Sequence, residues 1–143
     1  MRFWDSSAIV PLLAPEAATE AMRDAYEQDP GLVVWWATEV ECVSAVSKRE
    51  RVTGSGELTG PALDRLGELQ ADWVEIEPAD SVRRTALRLL RTHALTVADA
   101  FQLAAALAAT GDDPATLEVV TLDDRLREAA RREGLRVTPQ QQV

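Results

Sequence analysis

The sequence predicts an α/β fold, a parallel sheet with helices on both faces, and three observations carry that prediction. Short β-branched or aromatic runs alternate with helical segments along the whole chain, and strands separated by helices pair in parallel through crossovers, not as hairpins. The 143 residues match one ordinary domain, large enough to bury a core without disulfides or a structural metal. Apolar residues make up 46% and charged residues 27%, the balance of a soluble globular protein, and no apolar run approaches the length that spans a bilayer.

Element by element, Met1–Trp4 reads as a first strand. Ser7–Leu13 follows as a short helix with Ile9, Val10, Leu12 and Leu13 apolar, stopped before Pro15, and Glu16–Gln28 reads as a second helix. After Asp29-Pro30-Gly31, the run Leu32–Trp36 is β-branched and aromatic enough for a buried strand, and a helix runs from about Val40 to Arg51. Thr53-Gly54-Ser55-Gly56 is a loop between helices, followed by Pro61–Ala71 as helix, Trp73–Ile76 as strand and Ser81–Arg91 as helix. Val97–Ala109 is an alanine-rich helix expected to be largely buried. Leu117–Leu122 is a strand, Asp124–Glu133 a helix ended by Gly134, and Leu135–Val137 a last strand. No repeat or long linker divides the chain, so residues 1–143 are expected to form a single domain.

The formal charge of −9 constrains partners. Phosphate neutralisation by basic residues supplies most non-specific nucleic-acid affinity, so engagement of nucleic acid by this chain needs bound cations or local basic patches, and a basic protein partner fits. The start, MRFWDSS, lacks the basic and apolar regions of a signal peptide, which places the expected location in the cytoplasm. The single cysteine, Cys42, is read as a small core residue.

Sites in open parallel sheets form beyond the carboxyl ends of the strands, and four acids stand there in sequence: Asp5, Glu41, Asp99 and Asp123. All four lie at helix starts, where carboxylates ordinarily accept backbone N–H groups and suit the helix dipole. Thr38-x-x-Glu41 and Thr96-x-x-Asp99 both fit a capping box, and Asp5 and Asp123 fit simple N-caps. Capping leaves one thing unexplained. Asp99 falls in Val97-Ala98-Asp99-Ala100-Phe101-Gln102-Leu103-Ala104-Ala105-Ala106, a helix apolar enough that a lone charge on it is costly. If the four helix starts meet at one sheet edge, their mutual repulsion is resolved by a hard divalent cation such as Mg²⁺, held by one or two carboxylates with the rest positioning its waters. Such a site suits phosphodiester hydrolysis.

The same segments resemble the PIN-domain ribonucleases, in particular the VapC toxins of bacterial toxin–antitoxin pairs, over essentially the whole chain. Phe3-Trp4-Asp5-Ser6-Ser7-Ala8 is similar to the family's first motif, and Glu41-Cys42-Val43-Ser44-Ala45-Val46 to its second. Leu95 through Ala104 is similar to the third, and Thr121-Leu122-Asp123-Asp124-Arg125-Leu126, running on to Gly134-Leu135, to the last. Carried over residue by residue, the acidic quartet falls on Asp5, Glu41, Asp99 and Asp123. Glu39 competes for the second position, where the Ser44-Ala45 spacing favours Glu41; Asp124 competes for the last, where the Thr121-x-Asp arrangement favours Asp123. Phe101 replaces a histidine often found in the family.

The resemblance implies a three-layer sandwich around a five-stranded parallel sheet, homodimers, an RNA substrate and neutralisation by a VapB-like antitoxin. The implied activity is a Mg²⁺-dependent endoribonuclease, with Mn²⁺ as a possible substitute: the metal lowers the pKa of a bound water and stabilises charge on the phosphate. Asp5 and Asp99 are the favoured ligands, with Glu41 and Asp123 completing the shell. Ser6 and Thr121 are candidates to bond metal waters, or caps. His93 is read as a solvent-facing structural residue. Arg83, Arg84, Arg88 and Arg91 form a basic helical face or an ordinary solvated one. Trp35 and Trp36 are assigned to core or dimer interface in preference to base stacking. The alternatives are a non-catalytic RNA- or protein-binding module whose acids only cap helices, and a phosphotransferase using Asp5 as nucleophile. That second class wants an aspartate where Ser7 stands, and no Gly-rich nucleotide loop is present.

Overall fold

The computed structural model describes residues 1–140. The strands are β1 (Arg2–Trp4), β2 (Leu32–Trp35), β3 (Val74–Ile76), β4 (Glu118–Val120) and β5 (Arg136–Thr138). The helices are α1 (Ser6–Leu13), α2 (Thr19–Gln28), α3 (Thr38–Thr53), α4 (Thr59–Gln70), α5 (Asp80–Thr92), α6 (Val97–Thr110) and α7 (Asp124–Arg132), with a 3₁₀ turn at Pro114–Thr116. The five strands form one sheet in the order β3-β2-β1-β4-β5, and every neighbouring pair is parallel. The expected five-stranded α/β architecture is the one observed.

Alternation along each strand sends side chains to opposite faces, and here both faces are covered, as parallel sheets require. Phe3, Val33, Val119 and Val137 face one core with Val82 and Leu89 of α5, Leu103 of α6 and Leu126 of α7. Trp4, Leu32, Val34 and Val120 face the other, with Ile9 of α1, Met22 of α2, Val46 of α3 and Leu66 of α4. Ala100, Ala104, Ala105 and Ala106 are buried on α6; small side chains let that helix lie close against its neighbours. Cys42 is fully buried and its thiol is pushed up to about 12 by that burial, so it is the inert core residue expected.

Boundaries shifted where side chains compete with the backbone. The second helix begins at Thr19, not Glu16. The Glu16 N–H donates to the Thr19 hydroxyl, which itself donates to the Pro11 carbonyl at 2.7 Å, holding residues 14–18 in a turn. Gly134 stands where the sequence placed it, at φ 90° just past α7.

The chain builds outward from β1 to β2 and β3, then returns to lay β4 and β5 on the other side of β1. Strand order therefore reverses between β1 and β4, the position at which open parallel sheets form sites.

Candidate functional site: an acidic edge at the strand-order reversal

Asp5 ends the central strand and caps α1, accepting from the Ser7 N–H at 3.2 Å. Its own N–H continues the ladder to the Val120 carbonyl at 3.1 Å, so the residue is fixed from both sides of the strand-order reversal. The carboxylate is almost fully buried, 3% exposed. It accepts from the Ser7 hydroxyl and from the Thr121 hydroxyl, the latter at 2.5 Å. Those hydroxyls are themselves held: the Leu122 N–H donates to Ser7 Oγ at 3.0 Å, and the Asp123 N–H to Thr121 Oγ1 at 3.1 Å. Burial raises the Asp5 pKa above the ordinary aspartate range, with the hydroxyl bonds opposing the rise and the charge of Asp123 adding to it.

Asp123 is the N-cap of α7, accepting from the Leu126 N–H at 3.0 Å. Asp124, its competitor, is 86% exposed and paired with Arg127, so it turns away as a surface charge. Arg127 is buried; its guanidinium donates to the Thr121 and Pro139 carbonyls at 3.0 Å each, tying α7 to the ends of β4 and β5.

Asp99 lies in the first turn of α6 behind the N-cap Thr96, whose hydroxyl accepts from the Asp99 N–H at 3.1 Å. The expected capping box is present there. Asp99 is only partly buried, because α6 starts at the surface with Val97 and Ala98 exposed and enters the core from Ala100 onward. The expectation of a costly buried charge on this helix is corrected accordingly: the deeply buried carboxylate is Asp5. Burial and the charges of Asp123 and Asp5 still raise the Asp99 pKa.

Glu41 departs from its capping role. The N-cap of α3 is Ala37, without a side-chain cap bond, and Thr38 is already inside the helix with its hydroxyl accepting from Gln102 Nε2 at 3.0 Å. Glu41 therefore sits one position beyond the capping-box carboxylate, and its N–H bonds the Ala37 carbonyl at 3.1 Å. Its carboxylate is instead held by Gln102, whose Nε2 lies 3.1 and 3.0 Å from the two oxygens. Partial burial pushes Glu41 up to about 7; the Gln102 bond opposes this, and the charges of Asp5 and Asp99 add to it. Glu39, the other candidate, is exposed.

The four acids thus come from the starts of α1, α3, α6 and α7. Asp5, Glu41 and Asp99 each have pKa values raised by others of the set. None of the ion pairs among the described residues involves any of the four. No three His, Cys, Asp or Glu side chains among the described residues stand close enough to hold one ion between them. The donor set is all oxygen and carries excess negative charge, which suits a hard cation that keeps several waters and takes one or two carboxylates directly.

Sequence reasoning missed Gln102 and underweighted Ser7. Gln102 is 1% exposed with its Oε1 unpartnered, and its signal was available: three residues beyond Asp99, it shares that residue's helix face. His93 corrects its assignment. Its side chain is 6% exposed, not solvent-facing, and Nε2 lies 2.8 Å from Glu133. Arg88 pairs with Glu133 at 2.7 Å while half exposed and still sharing a surface with Arg84 and Arg91.

Comparison with known proteins bears on this geometry. The family described as PIN domain matches residues 2–132. No curated protein sequence matches. Among solved structures, a sarcin–ricin-loop-cleaving VapC toxin of Mycobacterium tuberculosis is similar in fold, with a TM-score of 0.66 and 14% identity, covering 90% of this chain and 95% of that one. A Pyrobaculum aerophilum protein gives 0.63 and 24%, covering 95% and 87%. A toxin–antitoxin complex from Klebsiella pneumoniae gives 0.61 and 16%, covering 86% and 87%. At these identities the likeness is one of fold, whereas the family match spans nearly the whole chain, and the chain belongs to the PIN domain family.

Proposed function

We propose that this chain is a Mg²⁺-dependent endoribonuclease, a single PIN-like domain acting as the toxin of a bacterial toxin–antitoxin pair. The observation that carries the reading is the set of carboxylates gathered at the strand-order reversal without cationic partners, three of them raised first by burial and then by the charge of other members of the set. Helix capping explains the position of Asp5, Asp99 and Asp123, but it does not explain why Gln102 holds Glu41 toward them. Family membership and the toxins of like fold support the same reading.

Asp5 and Asp99 would hold the cation, with Glu41 and Asp123 positioning its waters; Mn²⁺ suits the same oxygen donors. When bound, the metal would supply an acidified water and charge stabilisation on the phosphate. The chain's own residues do the rest. Ser7 and Thr121 lock the Asp5 carboxylate and keep one of its oxygens committed to hydroxyls. Gln102 fixes the Glu41 carboxylate, and Thr38 fixes Gln102. Arg127 anchors the backbone that carries Thr121. The partners are RNA, a second copy of the chain, and a VapB-like antitoxin covering the acidic edge; the compartment is the cytoplasm. No described helix is long and apolar enough to cross a membrane.

The test is cleavage of total RNA by purified protein with and without Mg²⁺, mapped at nucleotide resolution. Asp5→Asn and Asp99→Asn should each lower cleavage by about 10³-fold, as expected for several kcal/mol of lost metal-borne stabilisation, with unchanged circular dichroism. A module whose acids only cap helices predicts instead equal behaviour of wild type and both variants and no heat of Mg²⁺ binding. The toxin role is tested separately, by growth on expressing the chain with and without its neighbouring gene.

A further inference from the structure

We propose that a cavity of about 330 Å³ beside the carboxyl end of β2 is a base-stacking subsite that takes one unpaired nucleobase of the RNA, with Trp36 as its exposed stacking face. It deepens the nuclease reading and rests on it for the identity of the strand that enters. The walls are Trp35, Trp36 and Phe101, closed by Pro78 and Ala79, with Arg83 also lining the space. The three rings are contiguous: Trp35 stacks on Phe101 with centroids 5.4 Å apart and planes 3° from parallel, and meets Trp36 edge-on at 6.5 Å.

Trp36 touches Trp35 at one edge and leaves its other surface open. Trp4 and Trp35 are 0% and 6% exposed, whereas Trp36 leaves 51% of its surface in water directly after β2, its N–H bonded to the Ile76 carbonyl. The cavity lies at the same carboxyl edge of the sheet as the acids. Phe101 stands between Asp99 and Gln102 on α6, β2 lies beside the strand that ends in Asp5, and the turn after Trp36 leads into the helix of Glu41.

The aromatic walls identify the occupant. At −9 the chain cannot draw an RNA strand through its phosphates as basic proteins do. Stacking on aromatic faces works without net charge and accepts any base, which is how single strands are commonly held. Arg83, 73% exposed and in a long, solvent-exposed ion pair with Asp80 at 4.0 Å, adds a cation that can turn to an adjoining phosphate or a base face.

The experiment uses the full chain in EDTA with short single-stranded oligoribonucleotides carrying 2-aminopurine at each position in turn, read by fluorescence quenching and anisotropy. Wild type should quench the probe at one position. Trp36→Ala should abolish that quench and raise Kd about 10-fold or more, and Trp36→Phe should keep most of both. Unchanged quench and Kd in Trp36→Ala, or no position-specific quench in wild type, overturns the subsite. So does a Trp36→Ala variant whose only change is loss of a dimer in sedimentation, which would assign the face to a second copy. Position-specific quenching without cleavage in Mg²⁺ would remove the nuclease reading and leave the subsite standing.

Discussion

Two sets of carboxylates in this molecule are treated in opposite ways. Glu133, at the end of α7, receives Arg88 and His93, and its pKa is lowered, chiefly by the Arg88 bond. Glu50, near the end of α3, accepts from the Leu58 and Thr59 N–H groups and the Ser55 hydroxyl. It closes the loop through Gly54, which turns at φ 65°. At the acidic edge, Asp5, Glu41 and Asp99 move upward, with burial first among the causes and neighbouring carboxylates adding to it. A carboxylate that serves the fold is given partners that favour its charge; these are placed where their charge is disfavoured and neutral side chains hold them. That is an arrangement stabilised by something positive arriving from outside.

The comparison can be broken first at Gln102. Gln102→Leu keeps most of the side chain's volume and removes the donor to Glu41, so cleavage should fall about 10- to 100-fold, the usual cost of losing a group that orients a metal-site carboxylate, with little change in melting temperature. Full activity in this variant would mean that Glu41 needs no holding. The opposite result is expected at Glu133. Glu133→Gln leaves the largely buried His93 and Arg88 with a neutral partner and should cost about 1–2 kcal/mol of stability in urea titration, while leaving cleavage per folded molecule unchanged. A loss of activity there would erase the distinction between the two sets.

The smallest effect is in pH. Burial pushes Glu41 up to about 7 in the folded protein from an ordinary 4.5, so between these values the folded state binds more protons than the unfolded one. Stability of the metal-free protein should therefore fall as pH rises from about 4.5 to 7. Asp5 and Asp99 push in the same direction, whereas Glu133 and Glu50, lowered, contribute stability that is lost only in more acidic solution. Melting temperature should drop by a few degrees across that window, and saturating Mg²⁺ should flatten the slope. A metal-free protein whose melting temperature rises from pH 5 to 7 would contradict the raised pKa values.

Local grammar explains which parts of this were readable from sequence. Strands, helices and their order were legible because hydrophobic period and turn residues act over a few positions. The caps Asp5, Thr96 and Asp123 were legible for the same reason. Glu41 also fits a capping box in sequence because Thr38 stands three residues before it; a bond from Gln102, 64 positions away, claims that threonine's hydroxyl instead. His93 was read as exposed because nothing nearby in sequence reveals Glu133, 40 residues on. Asp99 looked deeper than it is because helical composition tells which helix is buried but not at which turn it surfaces.

The bond from Thr121 to Asp5 spans 116 residues, and that span has a consequence for biosynthesis. While the ribosome is still making β4, the first aspartate has only the Ser7 hydroxyl to hold it, with no Thr121 and no Asp123 beside it. A chain emerging amino-terminus first holds Asp5 and Glu41 early, yet its acidic edge cannot assemble until nearly all of the sequence has left the exit tunnel. Under the proposed nuclease function, this order of appearance keeps each molecule harmless to its own message until translation is almost over.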